Sequence, residues 1–200
     1  MLKTNVVKGY KVIEQDWTCK GKQYNLGKVA YVRKAISLCQ YGIHFCTKME
    51  DCFRYYPVDP KYKMAEVEVI GDVLYSNEDS KCCTNKLRIV REISIQELLD
   101  NEESCLQIIK QDGWALQYVK KQTPEICLEA VKQNGFALEY VENQTSEICL
   151  EAVKTSGYAL AYVKNQTPEI CLEAVRQDGD ALYYVEKQTP EICRAAIAQT

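Results

Sequence analysis

QTPEICLEAV, residues 122–131, returns unchanged at 166–175, stands between them as QTSEICLEAV at 144–153, and recurs altered as QTPEICRAAI from Gln188. Copies that start at 122, 144, 166 and 188 define a period of 22 residues. The period extends back to ESCLQIIKQDGWALQYVKKQTP at 103–124, so four full units and a stub fill the second half of the chain. Within each unit Thr123, Thr145, Thr167 or Thr189 suits a helix N-cap. Pro124, Pro168 and Pro190 suit the first helical position, and the glutamate that follows favours the positive end of the helix dipole. The helix is expected to stop at Gly113, Gly135, Gly157 and Gly179, each preceded by Asp, Asn or Ser, a pattern that predicts a left-handed C-terminal cap. A second short helix then runs to the next Gln-Thr, as in FALEYVEN at 136–143.

Each predicted helix carries one apolar stripe: Cys127, Ala130 and Val131 on the first, Ala137, Leu138 and Val141 on the second. Helices of about 8 to 10 residues are marginal in water, so the units must stack and bury each other's stripes. That is the logic of an α-solenoid. In the stub, Arg194 replaces Leu128, Leu150 and Leu172, and Ala195 replaces Glu129, Glu151 and Glu173, which predicts a terminal cap facing water. The expected architecture is an α+β N-terminal domain, residues 1–95, followed by an all-α solenoid of helix-turn-helix repeats, residues 96–200, with nine short helices.

The composition is that of a globular protein, with 46% hydrophobic residues and a net charge of -3. No apolar run reaches the roughly 18 to 20 residues that span a bilayer, and the first residues lack the features of a secretory signal. Eleven cysteines suggest a disulfide framework, but Cys105, Cys127, Cys149, Cys171 and Cys193 hold one position of the repeat. That spacing predicts small buried thiols in a reducing cytoplasm. Residues 1–100 hold 16 Lys and Arg against 13 Asp and Glu, and residues 101–200 hold 9 against 15. The acidic second half argues against binding a phosphate backbone. The row Lys110, Lys132, Lys154 and Arg176 does not alter this, because Glu129, Glu151 and Glu173 stand three residues before three of its members.

A repeat protein recognises partners where its copies differ. Those positions are Trp114, Phe136 and Tyr158 after the glycine, and Gln117, Glu139 and Tyr183 with Lys120, Glu142, Lys164 and Glu186 three residues further on. They form the expected partner surface, with packing between units as the alternative for the three aromatic residues.

The first domain shows β-rich runs, GYKVIEQ, AYVRKAISL, MAEVEVIGDVLY and NKLRIVREIS, broken by Gly, Asn, Asp and Pro. YSNEDSKCCTN reads as polar and turn-rich, and TKMEDCFRYY as helical with Thr47 as N-cap. His44 is the chain's one histidine, suited by its titration range to acid-base work. Cys39, Cys46 and Cys52 surround it as conceivable zinc ligands, without the CxxC spacing of structural sites.

The 22-residue unit resembles a repeat found in many copies in giant-virus, mimivirus-like proteins. Residues 8–94, with GYKV, YGIHFC, EDCFRYY and NKLRIVREIS, resemble a domain of phages, giant viruses and bacteria. Neither family brings an activity. GIHFC followed by MAEVEVIGDVLY is also similar to poly-ADP-ribosyltransferases, which bind NAD with a His, a Tyr and a Glu on three strands. Lys8, His44 and Lys86 stand at the corresponding positions. A lysine in place of the glutamate that stabilises positive charge implies a head that binds a nucleotide without turning it over. The resulting expectation is a non-enzymatic interaction module, viral and working in a host cytoplasm, with an unidentified protein partner, a possible nucleotide ligand and no cofactor, metal, nucleic acid or membrane. The alternative is a transferase-like head with the solenoid as its targeting surface.

Overall fold

The computed structural model describes residues 7–33, 35–38, 41–77 and 80–199. The chain divides into two compact units, Met1–Leu98 and Leu99–Thr200. The first is built on a seven-stranded antiparallel sheet. Its strands are β1 (Lys8–Glu14), β4 (Val29–Tyr31), β5 (Ile43–Cys46), β6 (Tyr62–Val69), β7 (Val73–Tyr75), β8 (Lys81–Thr84) and β9 (Lys86–Ile93), in the order β4-β9-β6-β1-β5-β8-β7. A separate hairpin joins β2 (Thr18–Cys19) to β3 (Lys22–Gln23). Alternation along the strands builds one apolar layer from Ile13, Ile43, Phe45, Ala65, Val67, Cys82, Leu87 and Ile89, all buried.

Two details of this unit depart from the sequence reading. The stretch read as turn-rich contains a strand, β8, whose Cys82 pairs with Phe45 and whose Cys83 pairs with His44. Both thiols are buried, on opposite faces, as neighbours in a strand must be. The stretch read as a helix capped by Thr47 holds only a one-turn 3₁₀-helix, Glu50–Arg54, with no side-chain cap. The Thr47 amide instead bonds the Ser80 carbonyl.

α1 (Ile95–Asp100) contains the boundary between the two units and precedes the repeats in the chain. The long helix of each repeat is α2 (Glu102–Gln111), α3 (Pro124–Gln133), α4 (Ser146–Thr155), α5 (Pro168–Gln177) or α6 (Pro190–Ile197). Thr123, Thr145, Thr167 and Thr189 cap α3 to α6 by accepting a hydrogen bond from the amide three residues on. The second element of each repeat is a six-residue 3₁₀-helix, Gly113–Tyr118, Gly135–Tyr140, Gly157–Tyr162 and Gly179–Tyr184, rather than an α-helix. The sheet unit followed by this alternation of α- and 3₁₀-helices is the expected order, an α+β domain and then a helical solenoid.

The left-handed glycine cap is not what the structure uses, since none of the four glycines has a positive φ. The residue before each is extended, and the Asp112, Asn134 and Asp178 side chains cap the following 3₁₀-helix. Glycine is required by the neighbouring unit. A Cβ on Gly135 would stand 2.6 Å from the Ala152 carbonyl oxygen, and Gly113, Gly157 and Gly179 meet Ala130, Ala174 and Ala196 in the same way.

Stacking is held by the glutamine that opens the phrase. The Gln144 carboxamide donates to the Tyr162 carbonyl at 2.8 Å and accepts from the Lys164 amide at 2.9 Å, both in the next unit. Gln122 and Gln166 repeat the pair with Tyr140 and Glu142, and with Tyr184 and Glu186. Gln188 makes neither bond and donates to Leu182. Gln144→Ala should therefore cost about 1–3 kcal/mol through two broken backbone bonds, while Gln188→Ala stays within about 0.5 kcal/mol. Urea denaturation of both variants checks the difference.

Candidate functional site

The head contains a cavity of about 230 Å³ whose lining includes Lys11, Lys20, His44, Tyr55, Tyr56 and Lys81, with Cys46 and Cys52 beside them. It is assembled from separate pieces of chain. Lys11 lies on β1 at the alternation of Gly9 and Ile13, the strand face that faces the apolar layer, and it pairs with the small Ala65 of β6. The β2–β3 hairpin turns through Lys20 (φ 49°) and Gly21 (φ 73°), a tight turn with both central residues left-handed. It brings Cys19 to Lys11. The short 3₁₀-helix supplies Cys52, then Tyr55 and Tyr56, and β5 and β8 supply His44 and Lys81.

Lys11 is almost wholly buried, at 5% exposure. Its Nζ donates to the His44 carbonyl at 3.1 Å and to Cys19 Sγ at 3.5 Å, and lies 5.2 Å from the centre of the Tyr24 ring. No carboxylate is among these partners. Burial lowers its pKa, an effect that proximity to Cys19 only partly opposes and the Lys20 charge reinforces. Burial likewise raises the hydroxyls of Tyr24 and Tyr56. The Cys52 thiol is raised by a hydrogen bond with Cys46 and by burial. His44 is lowered, by burial first and then by Lys81, Lys11 and Lys20, with its Nε2 donating to the Leu38 carbonyl at 2.6 Å. Lys81 lies over the Tyr55 ring, 4.5 Å from its centre.

The three ligand residues implied by resemblance do not converge. Tyr10 faces Cys46 across the sheet, so His44 is opposite Val12, roughly 13 Å along the strand from Lys8 at ~3.3 Å per residue. Lys8 is exposed and pairs with Glu66 at 3.8 Å. Lys86 opens β9, with β6 and β1 between it and His44's strand, a gap of roughly 14 Å. Of the three, His44 alone lines the cavity. The signal for Lys11 was present in KGYKVIE, a lysine in register with inward-facing neighbours, but alternation alone does not distinguish a buried lysine from an edge residue.

Cys39 lies outside the described residues. Among the described residues no group of three His, Cys, Asp or Glu side chains is arranged to hold a metal ion, and no helix is long and apolar enough to cross a membrane.

On the repeats, Trp114, Phe136 and Tyr158 each meet the tyrosine of the next unit edge to face, at 5.9, 6.2 and 6.2 Å from Tyr140, Tyr162 and Tyr184. They are stacking contacts between units. Lys164 is drawn back to the preceding unit by bonds to the Val141 and Glu142 carbonyls. Gln117, Lys120, Glu139, Glu142, Glu186 and Tyr183 stay exposed, Tyr183 at 85%. The described cysteines are all free thiols. Cys105 and Cys127 are pushed up to about 11 by burial, and Cys149 and Cys171 are raised by the same cause.

Because the folded-state pKa of Lys11 is lowered, the unfolded chain binds more protons there. Stability from this residue therefore rises with pH up to the ordinary lysine range near 10.5. Lys11→Met should stabilise the head at neutral pH and remove that rise. The raised thiols act in the opposite sense but equally in both proteins. Thermal melts of the two proteins between neutral and alkaline pH check it.

No curated protein and no solved structure matches the chain. Residues 7–101 match the model of the family described as Domain of unknown function (DUF7666). Residues 101–146, 123–167 and 145–189 match that described as Domain of unknown function (DUF4116), each match starting 22 residues after the one before. The head is thus similar to the first family over its whole sheet, and the stacked array is similar to the second.

Proposed function

We propose that the protein is a non-enzymatic binding module: a head that holds a small phosphate- or carboxylate-bearing molecule, joined to a helical array that offers a surface to a protein partner. The observation that carries the reading is the composition of the head cavity. Among the described residues, three lysines and a histidine line it and no carboxylate does. Lysine ammonium groups act as point donors to phosphate, and partial burial protects the attraction from salt. Tyr55 and Tyr56 add flat walls for an apolar or aromatic portion. The cavity is below the roughly 300–1,000 Å³ of sites for drug-sized ligands. A single phosphorylated metabolite therefore suits it better than an intact dinucleotide. The separation of Lys8, His44 and Lys86 supports binding without ADP-ribosyl transfer, and leaves the resemblance to transferases as one of strand wording. The transferase-like alternative predicts nicotinamide release from NAD, lost in His44→Ala.

For the array, the exposed row Gln117, Glu139 and Tyr183 with Lys120, Glu142 and Glu186 is the surface on which units differ without a stacking role. A viral protein at work in a host cytoplasm is the setting we infer, supported by the resemblance of the repeat to giant-virus proteins and by the free thiols. The acidic array supports a protein rather than a nucleic-acid partner.

Nuclear magnetic resonance with inorganic phosphate and ribose 5-phosphate tests the head. Shifts should concentrate at Lys11, Lys20, His44 and Lys81, and Lys20→Ala with Lys81→Ala should weaken binding about tenfold or more, the equivalent of ~1.4 kcal/mol. Shifts confined to exposed lysines elsewhere overturn the anion-binding reading.

A further inference from the structure

Lys11 is a primary amine set into the wall of a cavity, held from two sides and faced by neutral or cationic groups. Cys19 approaches from β2, Tyr24 from the chain after β3, Cys52 from the short 3₁₀-helix, and the His44 carbonyl from β5. The Lys20 charge, also cationic, acts on the Lys11 ammonium. Among the described residues no carboxylate pairs with this ammonium, which favours the neutral amine with its lone pair available. Lys20 and Lys81 line the same cavity and supply the anion-attracting charge that Lys11 gives up when it is neutral. Cys19 Sγ stands 3.5 Å from both Lys11 Nζ and the Tyr56 hydroxyl, a relay of exchangeable protons leading away from the amine.

We propose that the Lys11 amine forms a reversible imine with the aldehyde or ketone group of a small anionic ligand, whose phosphate or carboxylate is received by Lys20 and Lys81. This rests on the anion-binding reading of the cavity. The nitrogen lone pair adds to the carbonyl carbon while the carbonyl π pair moves to oxygen and takes up a proton. The carbinolamine then expels that oxygen as water, and C=N replaces C=O. The two hydrogens of the amine leave with the water, so no oxidant or reductant is needed. Hydrolysis runs the same steps in reverse. Cys19 behind the amine and Tyr56 in the cavity wall act on the amine without touching the carbonyl and are positioning groups. The ligand class is therefore narrower than any phosphate ester: a phosphorylated or carboxylated aldehyde, ketone or open-chain sugar.

The full-length protein is incubated with pyridoxal 5′-phosphate or with pyridoxal, reduced with borohydride, and mapped by peptide mass spectrometry. Lys11 should be the first site trapped, several-fold faster than exposed lysines, and the phosphorylated probe should act several-fold faster than pyridoxal. Excess inorganic phosphate should slow the first probe alone. Because Lys11→Met alters a buried position, the unmodified protein supplies its own control. The rate at Lys11 should level off at lower pH than the rate at exposed lysines. Label spread over exposed lysines with Lys11 untouched, or a Lys11 rate that follows theirs with pH, overturns the proposal. If phosphate shifts the cavity resonances but Lys11 stays unlabelled, the imine fails and the anion site stands. If both probes trap Lys11 equally and phosphate has no effect, the reactive amine stands and the anion site fails.

Discussion

A six-residue 3₁₀-helix cannot satisfy its own ends, and the repeats depend on the glutamine that solves this. Tyr162 has a carbonyl and Lys164 an amide with no partner inside their own unit, and the Gln144 carboxamide from the preceding unit meets both. The geometry is that of a peptide group supplied by a side chain. Since an unpaired backbone group away from water costs about as much as a lost hydrogen bond, the three units that hold Tyr140, Tyr162 and Tyr184 are each completed by the one before. The fold is cooperative between neighbours for this reason, and the conserved spacing of the phrase within this chain is the spacing of that contact.

The same closeness fixes the other invariant positions. The 3₁₀-helix begins so near the next long helix that a methyl group at Gly135 would collide with the Ala152 carbonyl. Alanine recurs at 130, 152, 174 and 196 where the opposing backbone must approach. The cysteine of the phrase adds a third tie: Cys127, Cys149 and Cys171 direct their thiols back to the glutamine oxygen that ends the preceding unit, at 3.6, 3.7 and 3.5 Å. A small apolar residue with a weak donor fits that place, and burial keeps the thiol protonated.

The head obeys a different rule. Its sheet buries a lysine on β1 at a place where an apolar residue would pack at lower cost, and among the described residues no acidic side chain repays the desolvation. The surrounding residues hold it without neutralising it: a carbonyl, a thiol and an aromatic face. Such a residue weakens the domain, and groups of this kind concentrate at binding and catalytic sites. The hairpin turn at Lys20 and Gly21 belongs to the same construction, because it carries Cys19 to the amine and Lys20 to the cavity.

The order of an α+β domain before a helical array, the position of the long helices and their threonine caps, and the burial of Cys105, Cys127, Cys149 and Cys171 were legible in the sequence, because each follows from local pattern and period; Cys193, with no unit stacked beyond it among the described residues, is only half-buried. The 3₁₀ geometry of the second element was not, since GFALEY has the apolar spacing of a short α-helix and does not show how closely the next unit approaches. The same approach explains why glycine is needed without a positive φ, and why Trp114, Phe136 and Tyr158, which differ between copies as a recognition surface would, instead stack on a tyrosine of the following unit. In the head, KCCT reads as part of a polar turn until pairing with Ile43–Cys46 makes it a strand. Lys8, His44 and Lys86 look like a set only along the chain. Strand order separates them and gathers Lys11, Lys20, His44 and Lys81 in their place, because which side chains share a cavity depends on pairing between distant strands, and that information is not carried by any one segment.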